Sequence, residues 1–244
     1  MKVFCLHETG TGASAWAGLE QALAGRADVV AHQRLGWRDE TPEDYRATTI
    51  GEQAEDAAKA LAELDEPALL CGAGLGAVVA LDLLLGRPQL ARGAVLIEPP
   101  LLAFSGAATE QLSADRVELS AAMQTGGVEA GVEVCLSGSL PALSPGTDRL
   151  AADVTAPARD RPLSFIAELS AVPAWSLPLP AFRANESPAG IVVSEGTPPL
   201  VREASSALAE QLGAAELREL PGAGPVHVDA APAIAEIVLS RGGE

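Results

Sequence analysis

Residues 67 to 82, which read PALLCGAGLGAVVALD, contain the clearest indication of the fold. The apolar run Ala68–Cys71 has the length and composition of a buried strand. Three glycines follow it, Gly72, Gly74 and Gly76, and an apolar pattern with helical spacing starts directly behind them. This stretch therefore predicts a strand, a sharp glycine turn and a helix.

The turn matches the outer positions of the nucleophile elbow, Gly-x-Ser-x-Gly, in which a serine stands between a strand and a helix. Gly72 and Gly76 fill the two outer positions, but Gly74 fills the position of the nucleophile. Because glycine has no side chain, the turn has no nucleophile of its own. Two other interpretations stay open at this point: a phosphate-binding glycine turn, with Glu98 as a ribose-binding acid, and a purely structural turn.

Composition favours one large α/β domain. The chain has 244 residues, of which 48% are hydrophobic and 20% are charged, enough for a sizeable core. The formal net charge of -17 argues against a nucleic-acid partner and against an anionic membrane surface. The three cysteines have neither metal-ligand spacing nor a disulfide framework. We expect a cytoplasmic protein with no cofactor, no metal and no membrane partner, since no apolar run could span a bilayer.

Strand and helix patterns alternate along most of the chain, which predicts a mostly parallel sheet with helices on both faces. Further strands are predicted at Lys2–Leu6, Asp28–Ala31, Gly93–Ile97, Gly190–Val193 and Glu216–Leu220. Residues 101 to 187 interrupt the alternation with helical stretches at 115–123, 128–136 and 164–171. The sequence thus predicts a core in two parts, residues 1–100 and 188–244, with an inserted helical cap at 101–187.

Five motifs in chain order resemble those of the α/β-hydrolase family. They are His7-Glu8-Thr9-Gly10, Leu35-Gly36-Trp37, the helix–strand–helix unit from Thr49 to Leu85, Ser194-Glu195-Gly196-Thr197-Pro198, and Pro221-Gly222-Ala223-Gly224-Pro225. The resemblance implies an α/β-hydrolase fold with a pocket at the carboxyl ends of the strands. It also implies where an oxyanion loop, a nucleophile, an acid and a histidine should stand.

The Ser-His-acid triad of that family does not transfer to this chain. The nucleophile position is Gly74, the histidine position is Pro225, and the acid position after the later strand falls near Thr197. The resemblance offers Glu98 as an acid from the preceding strand, but a lone acid would have no histidine to orient. Glu8 replaces the usual glycine of the oxyanion loop, where a carboxylate would repel a developing oxyanion.

Two residues remain as catalytic candidates, Glu98 and His227. Glu98 is either a pocket acid with a raised pKa or a structural carboxylate that accepts backbone N–H groups. His227 either reaches Gly74 through a loop slip or is an ordinary histidine at the start of a helix. Ser194, Glu195 and Thr197 are expected to cap the helix that follows them. The predicted pocket residues are His7, Glu8, Thr9, Gly74, Leu75, Leu101, Phe165, Trp175 and Pro225.

The absence of the triad nucleophile and histidine, at Gly74 and Pro225, is similar to that in the bottromycin-type peptide epimerases. That resemblance implies a non-hydrolytic enzyme of natural-product biosynthesis, which epimerises an aspartyl residue of a modified peptide while the substrate's own carboxylate acts as the base. A cyclase or lyase reaction would also fit. The alternatives are a non-catalytic receptor for a small molecule or peptide, and an esterase whose triad is misaligned. The sequence leaves the oligomeric state open.

Overall fold

The computed structural model describes residues 1 to 242. Its centre is one six-stranded sheet with the strand order β2-β1-β3-β4-β5-β6, and every neighbouring pair is parallel. The strands are β1 (Lys2–Leu6), β2 (Asp28–His32), β3 (Ala68–Ala73), β4 (Ala91–Ile97), β5 (Ala189–Ser194) and β6 (Ala215–Leu220). The predicted parallel sheet is confirmed.

Helices cover both faces of the sheet. They are α1 (Ala17–Leu23), α2 (Ile50–Ala62), α3 (Leu75–Gly86), α4 (Gly106–Leu136), α5 (Ala156–Asp160), α6 (Pro162–Glu168), α7 (Leu179–Ala184), α8 (Pro199–Gln211), α9 (Val226–Asp229) and α10 (Ala231–Gly242). Alternate strand residues face opposite sides, so Leu70 packs in one core cluster with α2 and α3, while Leu69 packs in another with α1 and α10. Burial on both faces explains why the central strands are apolar throughout.

Local sequence signals set the ends of the helices near the site. Thr49 accepts a hydrogen bond from the backbone of Glu52, whose side chain accepts one from Thr49, which is the capping box expected at the start of α2. In α4 the backbone leaves the helical region at Gly126 and Gly127, between the two helical stretches predicted there. The same helix starts at Gly106, nine residues earlier than the predicted 115, because its first turns carry few apolar residues.

Between β4 and β5 the described chain is helical and contains no strand. We propose that this segment, residues 101 to 187, is the cap. A buried ion pair joins it to the core: Nη1 and Nη2 of Arg34 donate to the carboxylate of Glu168, which also accepts the indole N–H of Trp37 at 2.8 Å. Within residues 1 to 242, no helix is both long enough and apolar enough to cross a bilayer.

Candidate active site

The turn after β3 has the geometry of a strained strand-to-helix elbow. Gly74 adopts φ 54° and ψ −124°, a left-handed region that favours glycine. Its N–H donates to the carbonyl of Ile97 at 3.0 Å, and its carbonyl accepts from Ala77 at 3.0 Å. A Cβ at Gly76 would lie 2.1 Å from the carbonyl oxygen of Leu6, so only glycine allows α3 to approach β1 this closely. The elbow is complete except for a side chain at its apex.

A cavity of about 320 Å³ lies above this elbow, between the core and the cap. Most of its wall is apolar. The core contributes Glu8, Thr9, Gly74, Leu75, Glu98, Pro198 and Val201, and the cap contributes chiefly Leu101, Leu102, Leu112, Leu143, Leu169, Val172, Trp175 and Leu177. The other charged residues of the wall are Arg116, Arg149 and Glu168. A cavity of this size, with an apolar wall and a few polar groups at its floor, suits a small organic ligand.

Several residues predicted for the pocket do line this cavity, namely Glu8, Thr9, Gly74, Leu75, Leu101 and Trp175, together with Glu98. His7, Phe165 and Pro225 are described by the structure but are not part of the wall. Phe165 packs in the cluster around Trp37, where its ring lies against the backbone of Gly10. Pro225 stands immediately before α9.

His7 is held under the loop that follows β2. Its Nδ1 donates to the carbonyl of Glu8 at 3.0 Å, and its Nε2 accepts the backbone N–H of Arg34 at 3.3 Å. Burial lowers the pKa of His7 well below its ordinary value, and the charge of Arg34 lowers it further. His7 is therefore a neutral residue that joins the two loops through hydrogen bonds, outside the cavity wall.

Glu98 lies at the floor of the cavity with both carboxylate oxygens occupied. It accepts a hydrogen bond from Arg149 Nη2 at 2.6 Å and another from Thr197 Oγ1 at 2.6 Å. The prediction that Ser194, Glu195 and Thr197 cap the next helix is wrong. Helix α8 begins after Pro198 and has no side-chain cap, and the hydroxyl group of Thr197 donates to Glu98 instead. The structural interpretation of Glu98 expected backbone N–H groups as its partners. Its carboxylate instead accepts from the side chains of Arg149 and Thr197.

Glu8 lies beside the empty apex of the elbow. A Cβ built on Gly74 would be 3.1 Å from the Cβ of Glu8 and 3.4 Å from its carboxyl carbon. The Glu8 side chain is 15% exposed, and no donor within residues 1 to 242 bonds its carboxyl oxygens. Burial raises the pKa of Glu8 to about 8, and the nearby carboxylate of Glu98 adds to the increase, against the opposing charge of Arg149. At neutral pH this shift favours the protonated form of Glu8.

His227 lies behind Glu8 and not in the cavity. Its side chain is 1% exposed, its ring packs 5.5 Å from the ring of Trp16, and its Nδ1 is 3.7 Å from the nearer Glu8 carboxyl oxygen. Its Nε2 has no hydrogen-bond partner among the described residues. Burial lowers the pKa of His227 to about 4, and Arg149 lowers it further. The imidazole is neutral, and Glu8 stands between it and the elbow.

Arg149 is the site residue that the sequence analysis missed. It ends a short 3-10 turn in the cap and reaches the core, where it bonds Glu98 and also donates to the carbonyl of Gly224 at 3.2 Å. It is 51 positions from Glu98 along the chain, in a stretch without a motif. No local pattern signals such a contact, because the fold of the cap alone brings the arginine to the floor.

The chain belongs to the Alpha/beta hydrolase family, whose sequence pattern it matches over residues 3–237. No curated protein matches it. Among solved structures it is similar to MenH from S. aureus, with 15% identity, 98% of this chain and 92% of the other covered, and a TM-score of 0.76. A hydrolase from Pseudomonas aeruginosa PA01 gives 21% identity, 100% and 90% coverage, and a TM-score of 0.74. The enol-lactonase from Burkholderia xenovorans LB400 has 20% identity and a TM-score of 0.71, with 100% of this chain and 91% of the other covered. At these identities the likeness establishes the fold.

The arrangement as a whole is suited to proton transfer. The floor of the cavity holds one protonated carboxyl group, that of Glu8, and one ion-paired carboxylate, that of Glu98. Carboxyl groups placed in different surroundings act as acid and base in many enzymes. Gly74, at the apex of the elbow, offers no side-chain atom that could act as a nucleophile.

Proposed function

We propose that the protein is a non-hydrolytic enzyme that moves a proton on a carbon atom of a substrate held in the cavity. The observation that carries this proposal is the pairing of Gly74 with Glu8. The elbow has kept its strained backbone but presents no nucleophile, and a protonated carboxyl group packs against the place where the nucleophile would stand. A cavity that has the elbow backbone but a carboxyl group in place of a nucleophile suits acid–base chemistry better than acyl transfer.

The reaction we propose is epimerisation of an aspartyl residue in a modified peptide of natural-product biosynthesis, with the side-chain carboxylate of the substrate as the base. The apolar wall would hold the flanking groups of the peptide, including those that reach Trp175 and Leu143 in the cap. Such a mechanism requires orientation from the protein, which a preformed cavity supplies. We place this activity in the cytoplasm.

Hydrolysis is the second candidate function. The observation in its favour is that two of the similar structures are described as a hydrolase and an enol-lactonase. Against it stand Gly74 and Pro225 at the two positions where the family has its nucleophile and its histidine. The carboxyl group of Glu8 also lies on the oxyanion side, where an ester hydrolase needs hydrogen-bond donors to stabilise negative charge.

Hydrogen exchange separates these candidates. Aspartyl peptides that raise the melting temperature of the protein are incubated with it in heavy water and analysed by mass spectrometry and chiral chromatography. We expect deuterium at the α-carbon together with inversion, and no cleavage of short p-nitrophenyl esters. Ester turnover that Gly74→Phe abolishes would contradict the proposal in favour of hydrolysis. Tight binding without any exchange would contradict it in favour of a receptor.

A further inference from the structure

A two-base epimerisation uses proton-transfer groups on opposite faces of one carbon atom. A base that removes the proton from one face cannot by itself deliver a proton to the other face. In the proposed reaction the carboxylate of the substrate accounts for the first transfer only. The second transfer requires an acid on the protein side of the bound substrate, at the floor of the cavity.

The charged residues of the described cavity wall leave one candidate for this acid. Glu168 is held by Arg34 and Trp37, and Glu98 is held by Arg149 and Thr197, so both carboxylates already accept strong hydrogen bonds. The arginine side chains of the wall do not release a proton in proteins. Glu8 lines the same cavity, and within residues 1 to 242 no donor bonds its carboxyl oxygens.

Resting on the proposed function, we infer that Glu8 is the acid that delivers a proton to the substrate carbon from the elbow side of the cavity. In this step the substrate carboxylate first takes the proton from the α-carbon, and the electron pair of the broken C–H bond moves into the adjacent carbonyl as an enolate. The O–H bond of Glu8 then breaks while a new C–H bond forms on the opposite face. Glu8 is left as a carboxylate, and solvent returns its proton while the substrate carboxyl group loses one.

The groups around Glu8 keep it ready for this role. Burial disfavours its charged form, and the carboxylate of Glu98 at the end of β4 acts in the same direction. Arg149 from the cap and Arg34 from the loop after β2 favour the charged form. His227 on α9 is neutral and stands 3.7 Å behind the carboxyl group.

Position supports the same assignment. The absent side chain at Gly74 leaves space at the elbow apex, and the carboxyl carbon of Glu8 borders that space at 3.4 Å from where a Cβ would be. A substrate carbon that occupies the apex would therefore come within reach of the Glu8 O–H group. His7 and Arg34 hold the Glu8 carbonyl through hydrogen bonds of 3.0 and 3.2 Å, which fixes the backbone that carries the acid.

The test is to compare inversion with exchange in Glu8→Gln. We expect inversion to fall by about a hundred- to ten-thousandfold, while deuterium still enters the α-carbon with retention, because the substrate carboxylate and solvent still act on the first face. Glu8→Asp should retain part of the inversion. The control is Glu20→Gln on the exposed side of α1, which should invert at the parent rate. In the parent protein, inversion should decline above pH 8 as Glu8 ionises.

Two results would overturn the inference. One is inversion by a folded Glu8→Gln within twofold of the parent rate, which would leave the epimerase in place without Glu8. The other needs no substrate: an infrared difference spectrum between the parent and Glu8→Gln should contain the C=O band of a protonated carboxyl group at pH 7. If that band is missing, Glu8 is ionised and is not the acid. A parent protein that shows the band but neither exchanges nor inverts any peptide would instead overturn the proposed function, and this inference with it.

Discussion

Two loops at the floor of the cavity each carry one glutamate, and their surroundings differ. The loop after β1 carries Glu8, whose carboxyl group has no hydrogen-bond donor among the described residues. The loop after β4 carries Glu98, which accepts hydrogen bonds from Arg149 and Thr197. The same side chain is therefore protonated in one loop and ion-paired in the other. In this site the surroundings of a carboxyl group, and not its residue type, set its protonation and its partners.

The largest effect should come from removing the partner of Glu98. Arg149→Met leaves that carboxylate at the floor without its cation. The two side chains are 15% and 10% exposed, so the loss should lie between that of a surface pair and that of a fully buried pair, at about 2 kcal/mol. We expect a drop of this order in the free energy of unfolding, measured by urea denaturation. The matched control is Arg116→Met, an arginine of the cavity wall that is exposed on α4, which should change stability by about 0.5 kcal/mol or less. Equal effects of the two substitutions would show that the ion pair between Arg149 and Glu98 does not stabilise the fold as described.

Removing Glu8 itself should have an effect that is smaller over any one pH unit and that accumulates as the pH rises. The folded-state pKa of Glu8 is raised to about 8, so the unfolded chain releases this proton at lower pH than the folded protein does. The contribution of Glu8 to stability is thus fully present below pH 4.5 and is lost as the pH rises to 8. Relative to Glu8→Gln, the parent should lose at most about 1.4 kcal/mol per pH unit in this window.

Unfolding curves at pH 5, 6, 7 and 8 test this expectation. Glu20→Gln serves as the control, since it removes a carboxyl group from the exposed side of α1 and should run parallel to the parent. If Glu8→Gln also runs parallel to the parent, Glu8 titrates at its ordinary pKa, and the contrast between the two loops disappears.

The smallest effect is expected from an attempt to restore a hydrolase. In Gly74→Ser combined with Pro225→His, the new hydroxyl group would meet the Glu8 side chain, which is 3.1 Å from the required Cβ. Thr197, at the acid position, supplies no carboxylate to orient an imidazole, and triad members act as a unit. Hydrolysis of p-nitrophenyl acetate should stay at background in the double variant. A rate well above that of Gly74→Ser alone would show that the floor still supports a triad.

Much of the core was predictable because its signals are local. The alternation of strand and helix patterns identified all six strands and their parallel arrangement, and Thr49 with Glu52 identified the start of α2. Motif spacing placed Glu8 and Gly74 at one end of the sheet, because the carboxyl ends of parallel strands meet there. The start of α4 was missed, since a helix whose first turns are mostly exposed lacks an apolar face that could mark it.

The family, the parallel sheet and the glycine at the apex of the elbow could be read from the sequence, since each depends on residues that are close together in the chain. Only the tertiary structure decided the state of the acids at the cavity floor. Burial and charge depend on distances in space, and the partners of Glu98 come from positions 51 and 99 residues further along the chain, at Arg149 and Thr197. Likewise, the pKa of Glu8 is raised because the folded chain buries its carboxyl group near a second carboxylate, and no donor among the residues described bonds its carboxyl oxygens.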